Sequence, residues 1–176
     1  MKRLYYITPQ INSAEQIAKD MHNEGVKDWN FHVLSKDRDG LYRHHIHSAN
    51  PLQEFDIIHS ALRGGIFGLT VALALCLSVN LISGYAALSL PLLLLVGALF
   101  GSWLGALIGL THENYKVARF HNEIEAGNFL VMVDVHKNEE SKIKTLMEHY
   151  HPEASGAGED STLINPFKGH MGPVKT

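Results

Sequence analysis

The chain has 176 residues and a formal net charge of −3. That is about one domain's worth of sequence with no basic stripe, which argues against a nucleic-acid partner. A single cysteine, Cys76, excludes an intramolecular disulfide framework.

The first 49 residues read as half of an α+β domain. Residues 2–8, built around Leu4, Tyr5, Tyr6 and Ile7, predict a strand ending at Pro9. Ser13-Ala14-Glu15-Gln16 has the form of a capping box. It opens a helix with Ile17, Ala18 and Met21 on one face, stopped at Gly25. Residues 29–35 alternate as a second strand, with Trp29, Phe31 and Val33 on one side. Asp37-Arg38-Asp39-Gly40 predicts a turn.

His44, His45 and His47 form the densest group among 12 histidines. Neutral imidazole is a common ligand of zinc, copper or nickel, so these three are the candidate metal ligands. In an extended backbone residues 45 and 47 share a face and residue 44 points away. The group therefore supplies two ligands readily and a third only if the backbone bends. A histidine-rich polar surface accounts for the cluster more simply, and a pH-responsive contact is a further option. The expectation is no cofactor, with a divalent ion as the alternative.

Residues 50–63 predict a juxtamembrane helix that presents Leu52, Phe55, Ile58 and Leu62. Residues 64–110 then run for 47 positions without Asp, Glu, Lys or Arg. A hydrocarbon core about 30 Å thick takes about 20 apolar helical residues to cross. The run is thus two crossings, 64–82 and 90–110, with a short dip at Ser83-Gly84-Tyr85. Arg43 and Arg63 precede it, Lys116 and Arg119 follow it, and the connecting loop carries no positive charge. Both termini are therefore expected on the cytoplasmic side. Pro91 suits the first turn of the second span, with Ser89 as its cap.

Gly97, Gly101, Gly105 and Gly109 recur every four residues in the second span, on one helix face. Gly64, Gly68, Ala72 and Cys76 do the same in the first. Small residues at this spacing let helix backbones pack closely in lipid. Spacing alone leaves open whether they pack one hairpin or join subunits. A second small row, Ala98, Ser102 and Ala106, favours a homo-oligomer.

Residues 111–127 predict a second juxtamembrane helix, presenting Val117, Phe120, His121 and Ile124. Residues 128–160 complete the domain. They contain a nearly all-apolar and hence central strand at 129–135, a helix at 139–150 and a weak last strand between Pro152 and Leu163. Residues 161–176, with Asn165-Pro166-Phe167, predict a mobile tail. The order βαβ, insertion, βαβ is that of a split ferredoxin-like α+β fold with the hairpin between strands 2 and 3.

No catalytic signature is present. His121-Asn122-Glu123 lacks the paired cysteines of a zinc deaminase, and His112-Glu113 lacks the second histidine of a metalloprotease helix.

Several segments carry a family likeness. They are Met1-Lys2-Arg3-Leu4-Tyr5, Phe31-His32-Val33-Leu34-Ser35, Leu41-Tyr42-Arg43-His44-His45, Asn114-Tyr115-Lys116, Arg119-Phe120-His121, Glu125-Ala126-Gly127 and Met132-Val133-Asp134-Val135. The chain resembles a group of small proteobacterial membrane proteins with a glycine-rich hairpin, sometimes labelled magnesium-transporter-like. The resemblance implies a bacterial inner-membrane location and carries over no catalytic residues.

The expected function is a non-enzymatic membrane protein that self-associates and presents a cytoplasmic ferredoxin-like sensory or interaction domain. An oligomeric divalent-metal transporter or channel, and a histidine-based metal or pH sensor, are the alternatives.

Overall fold

The computed structural model describes residues 1–46, 48–83 and 90–163, with side chains omitted at 80–83. In chain order its elements are β1 (Lys2–Thr8), α1 (Ile11–Asn23), β2 (Phe31–Leu34), α2 (Arg38–Arg43) and α3 (Pro51–Glu54). Then come α4 (Ile57–Ser83), α5 (Leu90–Gly109), α6 (His121–Glu125), β3 (Phe129–Val135), α7 (Glu140–Tyr150) and β4 (Ser155–Ser161). Two compact units result. One holds Met1–Asn50 and Lys116–Leu163, the other Pro51–Tyr115.

The first unit is built on a four-stranded sheet in the order β2-β3-β1-β4, antiparallel throughout. Side chains alternate between its faces. Leu4, Tyr6, Val131 and Val133 lie in one core with Ile17 and Met21 of α1 and Ile143 and Met147 of α7. Tyr5, Leu130 and Met132 lie in a second core with Val117 and Phe120. Central β3 is buried on both faces, which is why its sequence is apolar without alternation. The Ala49 amide donates to the Val33 carbonyl at 2.9 Å on the outer side of β2. On the other edge β4 pairs with β1 through a register shift between Tyr5 and Tyr6.

Several local expectations differ from this arrangement. Helix α1 starts at Ile11, without a side-chain cap at Gln10. Ser13, expected as the cap, instead donates its hydroxyl to Glu153 Oε1 at 2.5 Å. Trp29 lies in a 3-10 turn and is 68 % exposed, so β2 begins only at Phe31. The turn expected at Asp37 is the start of α2, whose first turn is held by the Gly40 amide donating to Asp37 Oδ1 at 2.9 Å. Tyr150 is exposed rather than on the inner face of α7. Residues 164–176, and with them the Asn165-Pro166-Phe167 triplet, lie outside the described residues.

The second unit is a helical hairpin. Helix α4 has 27 residues and α5 has 20, which at 1.5 Å per residue is about 40 and 30 Å of helix. Both are long and apolar enough to cross a membrane, and only 17 % and 11 % of their most apolar stretches are buried. A core helix of a soluble protein would be mostly covered. The expected juxtamembrane helix at 50–63 is split: α3 ends at Glu54, and α4 runs unbroken from Ile57 into the apolar segment. The helix expected at 111–127 is reduced to a 3-10 turn at Ala118–Phe120 and the five residues of α6. Val117 and Phe120 are core residues of the sheet unit instead, and Gly127, at φ +91°, ends the segment.

Candidate functional site

The glycines of α4 and α5 face one another inside the hairpin. A Cβ on Gly64 would strike the Gly101 carbonyl and come within 3.0 Å of Gly105 Cα. One on Gly68 would strike the Gly97 carbonyl, and one on Gly97 would meet Ala72 Cβ at 2.7 Å. Gly105 lies against the Ser60 carbonyl, and Gly109 against Asp56 and Ile57. The second small row faces the same way, since a Cβ on Gly65 would stand 2.5 Å from Ser102 Oγ. The stripes are thus filled by each other, and the large side chains Leu99, Phe100, Trp103 and Leu107 point outward. Cys76, the single cysteine, is buried.

The polar end of the hairpin is closed by backbone pairing. The Asp56 amide donates to the His112 carbonyl at 3.0 Å and the Asn114 amide to the Glu54 carbonyl at 2.7 Å. Phe55 and Glu113 form an antiparallel bridge between them. The Asp56 carbonyl accepts the first helical bond of α4, from the Ser60 amide, which places Asp56 at the N-cap. Its Oδ2 lies 2.7 Å from His59 Nδ1 and accepts from Ser60 Oγ at 3.3 Å. His59 stacks on Tyr115 with ring centroids 4.6 Å apart. Asp56 and His59 are 3 % and 2 % exposed, and Asp56 Oδ1 and His59 Nε2 are buried without a hydrogen-bond partner among the described residues. Buried polar atoms are nearly always bonded, so these two atoms stand out at the hairpin base. The apolar pattern at 50–63 concealed them. The signal available in sequence was the Asp-x-x-His spacing, N-cap to third helical position, at the start of an apolar helix.

His44 and His45 of the expected metal cluster are arranged differently from a strand. His44 follows the last turn of α2. His45 takes the left-handed conformation at φ 53°. The His45 amide donates to Tyr42 and the Ile46 amide to Leu41, which is a Schellman ending. It turns Ile46 into the core beside Leu41. His44 Nδ1 lies 2.5 Å from Glu15 Oε2, and Lys19, then His44, hold the Glu15 carboxyl down to about 2. His47 lies outside the described residues. Among the described residues no group of three or more His, Cys, Asp or Glu is placed to hold a metal ion.

One further polar cluster lies in the sheet unit. Buried His151 reaches Asp20 Oδ2 with Nε2 at 3.0 Å and faces Glu153 Oε1 with Nδ1 at 3.4 Å. Ser13 donates to Glu153, not to the imidazole, so the cluster lacks the serine–histidine hydrogen bond of a nucleophilic triad. It ties α1 to the connection between α7 and β4. Lys116, also buried, donates to the carbonyls of Ser161 and Leu163 at 2.6 and 2.9 Å, holding the end of β4.

Comparison of the sequence with protein-family models and with curated proteins returned no match.

Proposed function

We propose that this chain is a non-enzymatic integral membrane protein of the bacterial inner membrane. Its α4–α5 hairpin crosses the bilayer with both termini in the cytoplasm, and its sheet unit is a ferredoxin-like sensory or interaction domain. The observation that carries the reading is the hairpin itself. Two helices of spanning length pack on each other through glycine and leave their large apolar side chains uncovered. In water such a surface would be an aggregation hazard; in lipid it is the solvated face.

The strand order β2-β3-β1-β4, with α1 and α7 packed into one core, supports the ferredoxin-like reading. That fold assigns no chemistry by itself. Self-association remains part of the proposal. Because the glycines are filled within one hairpin, it would use the outer face around Phe100 and Trp103, which stack at 5.8 Å.

Reporter fusions test the reading. Fusions at Met1 and at Thr176 are expected to be active only in the cytoplasm, and an insertion at Gly84-Tyr85 only outside it. Extraction of the chain by alkaline carbonate, or a terminus reporting from the periplasm, overturns it.

A further inference from the structure

Beside the packed glycines, at the polar end of the hairpin, a groove of about 420 Å³ opens on the outer surface. Its floor includes Gly101 and Gly105. Its walls are Phe67 on α4 and Leu104 and Ile108 on α5, and Arg63 lines it as well. The three wall side chains are exposed, at 70 %, 40 % and 60 %. The glycines leave room for the groove, because both helix backbones approach where side chains would otherwise stand.

Two chemistries meet in this groove. Its lining is apolar along the helices, suited to a hydrocarbon chain. Arg63 is the last charged residue before the uncharged run that begins at Gly64, so the cation stands where hydrocarbon gives way to headgroups. A planar guanidinium with five donors matches phosphate geometry and binds it through parallel hydrogen bonds. Basic pockets between membrane helices on the cytoplasmic side are suited to anionic lipid headgroups. We propose that this groove is a binding site for one anionic phospholipid, with an acyl chain along Phe67, Leu104 and Ile108 and the phosphate on Arg63. The inference rests on the hairpin spanning the bilayer.

The test uses the full chain reconstituted in phosphatidylcholine vesicles with or without phosphatidylglycerol. Flotation reads membrane insertion, and native mass spectrometry reads retained lipid. Wild type is expected to float in both and to keep about one phosphatidylglycerol per chain in preference to phosphatidylcholine. Arg63→Gln should float equally and lose that preference at least tenfold. Phe67→Ala should weaken retention, and Arg43→Gln, which changes a residue of the sheet unit, should leave it unchanged. Chains that float but hold both lipids alike, or an Arg63→Gln variant that keeps its phosphatidylglycerol, overturn the lipid site alone. Chains that do not float overturn the spanning reading itself.

Discussion

Asp56 Oδ2 lies 2.7 Å from His59 Nδ1, and the two side chains are buried together at the start of α4. The pair joins three roles. Asp56 begins the helix, its backbone closes the hairpin base against His112, and His59 carries the contact to the Tyr115 ring. An acidic residue at this position also complements the positive end of a long helix dipole. Removing one partner leaves the other buried and unbonded, which costs about 1–3 kcal/mol. Asp56→Ala is expected to lower stability by that amount and to speed amide exchange in the first turn of α4. Asp56→Asn keeps an acceptor of the same size and should cost less. Equal exchange in wild type and Asp56→Ala would remove this pair's role in closing the hairpin.

Sequence patterns located most elements where burial sets the period. Lys2–Thr8 and Phe129–Val135 stand as expected, because each is a central strand whose apolar residues are its own signal. Strand β4, Ser-Gly-Ala-Gly-Glu-Asp-Ser, was only weakly legible. It is an edge strand with little burial, and its position comes from pairing with β1 rather than from its side chains. At the histidines the local geometry differs from a strand. An extended backbone puts residues 45 and 47 on one face, whereas residues 44–46 form the end of the short α2, whose Schellman ending is set by the Asp37 cap and by burial of Leu41 and Ile46. The Asp56–His59 pair was hidden for another reason: its meaning depends on Tyr115, which is distant in sequence.

Acid should loosen the sheet unit through two carboxylates. Glu15 is held at about 2 by Lys19 and then His44, and Glu159 at about 2 by Lys144 and then Lys2. Both start from an ordinary value of 4.5. A carboxyl depressed on folding contributes stability above its unfolded value and loses it as pH falls through the folded one. The contribution of these groups should therefore be complete above pH about 4.5 and decline toward pH about 2. Thermal midpoints of the full chain in detergent, followed across that window, should fall less steeply in Glu15→Gln and Glu159→Gln than in wild type. Parallel curves would show that the contacts do not persist in solution.

Phe120 tests the second face of the sheet. It is 1 % exposed, its ring lies 5.1 Å from Tyr5, and the Arg119 guanidinium sits over both rings at 4.6–4.7 Å. Truncating a fully buried phenylalanine costs about 3–5 kcal/mol. Phe120→Ala is expected to accelerate amide exchange in β1 and β3 while the hairpin keeps its protection. Unchanged exchange in those strands would mean that the segment after the hairpin does not cover the sheet.

The glycines make the sharpest prediction about the hairpin. Gly101 faces the Gly64 carbonyl and lies 3.0 Å, measured from an added Cβ, from Gly68 Cα; Gly105 meets Gly64 Cα at 3.1 Å in the same sense. The obstructing atoms are backbone and cannot rotate away, so the helices must separate to admit a side chain. Overpacking of this kind costs about 1–3 kcal/mol and more when backbone has to move. Replacing both Gly101 and Gly105 with Leu raises the apolarity of α5, so insertion into the membrane should be unimpaired. The thermal midpoint in detergent should fall, and spin labels on the outer faces of α4 and α5 should report a wider helix separation. Because these contacts lie within one hairpin, the mass of the particle should not change. A variant that instead runs as a smaller species, with its helix separation intact, would place the stripe between subunits.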